Sequence, residues 1–245
     1  MSLSYSIASI MRRLEDWALL PKYQLERRVD IFLTPFLEAL VGQGLGARAT
    51  LVVPEFPLRT IHRPASAKEE DSGAGDPEDD GKDTAHTVNV DYLLWVEPEG
   101  QPPYWVFLEL KTDTGSFKPD QALLYAAARS LGMRRLRVDL DFVRERSKRQ
   151  APKYDRLIGR LDGFDREADR IVLLYLGPSG LETLAKEWTC ASDQRPDGYL
   201  TLSGFADLPD DRIPSEHVEL WPFVRDLLRT LDASTARPAG KQRKD

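Results

Sequence analysis

Residues 87–113 read TVNVDYLLWVEPEGQPPYWVFLELKTD. Two apolar runs, rich in aromatic and β-branched residues and alternating in character, flank a centre of Glu97, Pro98, Glu99, Gly100, Gln101, Pro102 and Pro103. Alternation of this kind reads as strand, and a Gly/Pro-rich centre reads as the connecting loop, so the stretch is a β-hairpin. Folding it about Gly100 predicts a register in which Trp95 faces Trp105, Leu93 faces Phe107 and Asp91 faces Glu109. Because side chains alternate between faces, Glu109 and Lys111 share one face. Asp91, Glu109 and Lys111 are therefore expected to converge at the open end of the hairpin.

Opposed carboxylates are unfavourable by a fraction of a kcal/mol up to about 1 kcal/mol, and burial worsens this. A divalent cation relieves it, since carboxylates and carbonyls are hard oxygen ligands suited to Mg²⁺ or Mn²⁺. Lys111 would add a positive point charge beside that cation, where a phosphate can sit. Asp91, then seventeen intervening residues, then Glu109-Leu110-Lys111, resembles the core signature of the PD-(D/E)xK nucleases, with Val90 in place of the motif's proline. The resemblance implies an α/β fold, a restriction-endonuclease-like αβββαβ core with a central mixed sheet flanked by helices. It also implies a catalytic set of Asp91, Glu109 and Lys111. The metal would be Mg²⁺ (or Mn²⁺), held by Asp91, Glu109 and the backbone carbonyl of Leu110. In that family a glutamate on the helix before the first strand often joins the metal. Glu26 and Glu38 are both candidates, with Glu26 the nearer match in position. Glu55 lies within a strand's length of the site and is a further candidate acid.

The elements around the hairpin are compatible with that core. Leu3, Ile7, Ile10, Leu14 and Trp17 make an amphipathic N-terminal helix over residues 1–20, and Tyr23 to Val41 reads as a second helix that Pro35 divides. Ala49 to Thr60 reads as a strand with Pro54 and Pro57, which places it at a sheet edge. Past the hairpin, Pro119 fits the first turn of a helix and Gly132 its end. Gln121 and Tyr125 are four apart there and share a face. This Gln-x-x-x-Tyr pair resembles the helical motif of the exonuclease-type, RecB-like branch of the family, which implies a role in positioning substrate. Leu136 to Val143 alternates and reads as a strand or strand-like connector. Pro152 to Leu161 reads as a helix, Ile171 to Leu176 as a buried strand, Leu181 to Trp188 as a short helix, Tyr199 to Phe205 as a further strand and Val218 to Leu231 as an amphipathic helix. The nuclease-like domain is expected over residues 21–190, with a strand/helix extension over 191–232 and a disordered tail over 233–245.

Net charge is −6, which on its face opposes a nucleic-acid partner. Ser66 to Asp83, however, carries eight acids and two lysines, a net of −6, so the rest of the chain is neutral. This stretch lies inside residues 63–87, which hold too little apolar surface to offset ordering and are expected to be a disordered acidic insertion. Arg129 to Arg170 carries thirteen basic and eight acidic residues, a net of +5, which suits a phosphate backbone. Nucleic acid, and DNA in particular, is the expected partner. No apolar run approaches the roughly 18 residues a membrane helix needs, and the N-terminus lacks the basic-then-apolar pattern of a secretory signal. No membrane partner and a cytoplasmic location are expected. Cys190 is the sole cysteine, and His62, His86 and His217 show no zinc-ligand spacing. The expected activity is Mg²⁺-dependent hydrolysis of phosphodiester bonds. The alternative is a non-catalytic nucleic-acid-binding or protein-interaction module on the same fold.

Overall fold

A computed structural model describes residues 32–60, 87–188 and 195–235. The N-terminal helix expected over residues 1–20, Glu26, the acidic insertion, Cys190 and the tail beyond residue 235 lie outside them. The described chain is α/β: a five-stranded mixed sheet in the order β1-β2-β3-β4-β5, covered by helices on both faces. Its strands are β1 (Ala47–Arg59), β2 (Thr87–Pro98), β3 (Tyr104–Leu110), β4 (Ile171–Gly177) and β5 (Gly198–Thr201). The helices are α1 (Leu37–Leu45), α2 (Pro119–Leu131), α3 (Met133–Arg146), α4 (Ala151–Leu161), α5 (Leu181–Trp188), α6 (Leu202–Ala206) and α7 (Trp221–Thr235).

The hairpin has the register expected of it: Trp95 pairs with Trp105, Leu93 with Phe107 and Tyr92 with Leu108. β1 and β2 are antiparallel, as are β2 and β3, whereas β3, β4 and β5 run parallel. Every residue of β3 and β4 is buried, which is why β4 reads as an unbroken apolar run. Alternation across the sheet builds two cores. Tyr92, Leu94, Val106, Leu108 and Leu174 pack against α1, α6 and α7. Leu93, Trp95, Trp105, Phe107 and Tyr175 pack against α2, α3, α4 and α5. The Trp95 and Trp105 rings meet edge-on with centroids 4.8 Å apart, a geometry that adds about 0.5–1.5 kcal/mol beyond the area buried.

β1 is an edge strand, as Pro54 and Pro57 require. Its register slips between Leu51 and Val53. Pro35 sits in a 3₁₀ turn (Thr34–Phe36) that leads into α1, and Gly46, at φ 61°, ends that helix in the left-handed conformation. α2 begins at Pro119 and stops at Gly132, φ 81°.

Two expectations fail. Leu136 to Val143 is helix, not strand, because the wider stripe Met133, Leu136, Leu140 and Val143 recurs at spacings of three and four and is buried, whereas Val138 is 55% exposed. Asp139 is also buried on that face, where Arg59 reaches it at 3.3 Å from β1. The local strand-like alternation thus reflects a buried ion pair on an amphipathic helix. In the segment Tyr199 to Phe205 only the start is strand. Thr201 turns the chain into α6 by accepting a hydrogen bond from Gly204 N–H.

Candidate active site

The ladder between β2 and β3 runs from the Val96–Tyr104 pair to Tyr92–Leu108 and stops there. At the next position side chains take over. The Asp91 carboxylate accepts the Leu110 backbone N–H at 2.7 Å, and the Glu109 carboxylate lies 3.5 Å from the Asp91 N–H. Beyond this splay lies a cavity of about 370 Å³ lined by Asp91, Glu109, Leu110, Lys111 and Gln121, with Glu55 on its rim.

Glu109 is 1% exposed and Lys111 5%. Lys111 Nζ donates to Glu109 Oε1 at 2.8 Å and reaches Gln121 Oε1 at 3.5 Å. Burial, and next the nearby Asp91 charge, raise the Glu109 carboxyl from 4.5 to about 7, against the opposing pull of Lys111. Burial and Asp91 thus outweigh Lys111 in setting the proton affinity of Glu109.

The backbone around Lys111 is fixed by β4. Lys111 N–H donates to Leu176 O at 2.8 Å. Gly177 permits the approach: a Cβ there would stand 3.1 Å from the Lys111 carbonyl oxygen and 2.5 Å from Leu181 Cδ2. From the other side α2 supplies a polar relay. Gln121 Nε2 donates to the Tyr125 hydroxyl at 2.6 Å, and that hydroxyl donates to the Asn89 carbonyl at 2.7 Å. Tyr125 is fully buried, and burial, then the Glu109 charge, hold its hydroxyl well above its ordinary pKa. The relay ties α2 to β2 and aims Gln121 at Lys111.

Asp91, Glu109, Leu110, Lys111 and Gln121 therefore come together around one cavity, and Tyr125 supports them from below. Glu38 does not: its carboxylate accepts the Leu51 N–H at 2.8 Å, beside the register slip in β1, and it is not among the cavity's lining residues. Glu55 does line the cavity. It stands in register opposite Asp91, between the Pro54–Tyr92 and Phe56–Val90 pairs, with a φ of 52° that non-glycine residues rarely adopt. Ser116, Lys118 and Asn89 also line the cavity and were not singled out by sequence. A basic residue immediately before the helix-starting Pro119 was the available signal for Lys118. Nothing in a sequence marks Asn89, which acts through its carbonyl.

Among the described residues no three His, Cys, Asp or Glu side chains stand close enough to ligate one ion together. Two carboxylates, a strand-end carbonyl and an open cavity still fit Mg²⁺, which keeps several of its waters and takes one or two carboxylates together with substrate phosphate. No helix among the described residues is long and apolar enough to cross a membrane.

No family model matches the chain, and no curated protein or solved structure matches it either.

Proposed function

We propose that the chain is a divalent-cation-dependent nuclease of the PD-(D/E)xK type, with a restriction-endonuclease-like core, acting on DNA. The observation that carries this reading is the meeting of Asp91, Glu109 and Lys111 at the end of the β2–β3 ladder, on the wall of one cavity. Asp91, Glu109 and the Leu110 carbonyl would be the oxygen donors for Mg²⁺ or Mn²⁺. When bound, the cation would lower the pKa of an attacking water and neutralise charge on the scissile phosphate. Lys111 Nζ, 2.8 Å from Glu109 Oε1, would stand beside that cation, placed to orient the water and to face the charge developing on the phosphoryl oxygens. Gln121 holds Lys111 from the α2 side, and Tyr125 fixes Gln121. Lys118, on the cavity rim and with no carboxylate partner among the described residues, suits a flanking phosphate.

The test is cleavage of labelled DNA and RNA by the purified chain with Mg²⁺, Mn²⁺ or chelator, beside Asp91→Ala. Cation-dependent cleavage that disappears in the variant is expected. Equal activity in Asp91→Ala would end the reading.

One observation favours the non-catalytic module. Lys111 pairs with Glu109 at 2.8 Å, so part of the buried charge is balanced internally. Calorimetric titration with Mn²⁺ separates the two: heat that is lost in Asp91→Ala supports the nuclease, and no heat supports the module.

A further inference from the structure

Past Glu55 the site cavity meets a second one, of about 460 Å³, and the two share Pro54, Glu55 and Asn89 as walls. Edge strand β1 forms one side of the second cavity and α4 the other. α4 belongs to the chain between β3 and β4 that exceeds the expected core. It presents Lys153, Arg156 and Arg160 to the cavity, at spacings of three and four that put all three on one helix face. Tyr154, Leu157 and Pro57 also line the cavity, Tyr154 and Leu157 partly buried against the core.

Several of the basic residues between Arg129 and Arg170 are paired with acids of the same stretch. Arg134 pairs with Asp169, Arg135 with Asp139, Arg137 and Arg166 with Asp162, and Arg144 with Asp155. Lys153 and Arg156 are exposed and have no carboxylate partner among the described residues, as is also true of Arg146, Lys148, Arg149 and Arg170, but these two line the cavity. Arg160 donates to the Val52 carbonyl at 3.1 Å, which holds its guanidinium against β1 at the cavity edge. Glu55, at the junction of the two cavities, is the one acid among the lining residues of the second.

We propose that this second cavity is a track for a single strand of nucleic acid leading to or from the site at Asp91 and Glu109. Two unpaired cations and a third fixed in place match successive phosphates, while the Tyr154 ring, which has no aromatic partner among the described residues, offers a face to an unpaired base. In a duplex the bases are stacked on one another and turned inward, so an aromatic ring lining a cationic cavity would have no base to meet; an open strand uses both ring and cations. The direction of the strand toward the site rests on the nuclease reading, but binding in the track does not.

The experiment is a set of binding titrations in chelator, with fluorescent single-stranded DNA, single-stranded RNA of matching sequence and the matching duplex, over a range of salt. The proteins are the wild type, Lys153→Ala/Arg156→Ala, Tyr154→Ala and Tyr154→Phe. Single strands of either sugar should bind more tightly than the duplex. The double variant should bind more weakly, with the slope of log affinity against log salt reduced by about 1.4, the value for two lost phosphate contacts on a single strand. Tyr154→Ala should lose roughly tenfold in affinity, within the range of one base stack, and Tyr154→Phe should retain it. An unchanged affinity and salt slope in the double variant, or tighter binding of duplex that Tyr154→Ala leaves untouched, overturns the proposal. A wild type that binds strands through these residues but never cleaves with Mg²⁺ or Mn²⁺ retains the track and loses the nuclease. A wild type that cleaves, with Lys153→Ala/Arg156→Ala unchanged in both binding and cleavage, does the reverse.

Discussion

The Asp91 carboxylate accepts the backbone N–H of Leu110 at 2.7 Å, and so replaces the strand carbonyl that would otherwise have paired there. One side chain both finishes the hairpin's hydrogen bonding and brings negative charge to the cavity wall. These two duties separate in Asp91→Asn, whose Oδ1 still accepts from Leu110. The variant should fold with a stability change within about 1 kcal/mol, in the range of a single retained hydrogen bond. Cleavage should fall by about 100-fold or more, the order expected when one group that stabilises the transition state is lost. Asp91→Ala, which also frees the Leu110 N–H, should be less stable than Asp91→Asn. Denaturant melts beside cleavage rates check both.

Glu109 makes the cation-free protein sensitive to pH. Its carboxyl titrates at about 7 in the folded protein and near 4.5 unfolded. Between those values the folded state binds the extra proton, so its contribution is full below the unfolded pKa and is lost as pH rises through about 7. In chelator, stability should fall by a few kcal/mol at most between about pH 4.5 and pH 7.5. Glu109→Gln should remove that slope. A melt series in chelator, wild type against variant, reads it directly, and an equal slope in Glu109→Gln would contradict the assignment.

Lys111 and Glu109 form a buried pair, so removing one partner strands the other. Lys111→Met should destabilise by up to about 3–5 kcal/mol at alkaline pH, where Glu109 is charged, and by less near pH 5, where it takes up a proton. Lys111→Met/Glu109→Gln should recover much of the loss while staying inactive. A double-mutant cycle at two pH values measures the coupling.

Glu55 holds a left-handed backbone conformation opposite Asp91. Such conformations are unfavourable by about 1–3 kcal/mol for ordinary residues and cluster at functional sites. Glu55→Gly should therefore raise stability by about 1 kcal/mol, and Glu55→Ala should not. If the carboxylate serves the cation, both variants should need more Mn²⁺ for half-maximal cleavage. Equal Mn²⁺ dependence in wild type and both variants would assign the strain to the edge strand alone.

The parts of this fold legible in sequence are those where local pattern and tertiary burial agree. Leu93, Trp95, Trp105 and Phe107 share the sheet face that packs on α2 to α5, and Gly100 lies in the loop between the strands, so folding the hairpin about Gly100 recovers the register. Pro119 and Gly132 bracket α2 because their backbone restrictions act locally. Legibility ended where a distant partner changed a residue's meaning. Asp139 reads as the polar half of a strand only until Arg59 buries it on a helix face. Glu38 reads as a helix acid near a site, yet a slip in β1 leaves the Leu51 N–H for it to accept. The nearness of Asp91 to Glu109 followed from counting; that the ladder stops at Tyr92 and Leu108, with side-chain hydrogen bonds beyond, depends on how the strands splay.

Arg59 and Thr87 are register partners at the ends of β1 and β2. The two ends of the chain between them are therefore held a single inter-strand step apart. The sheet is thus closed beneath that stretch whatever its length, and lengthening it would add only a logarithmic closure cost, about 0.6 kcal/mol per doubling. This junction is a natural splice point, where sequence can be gained or discarded while the ladder below it continues unbroken toward Asp91.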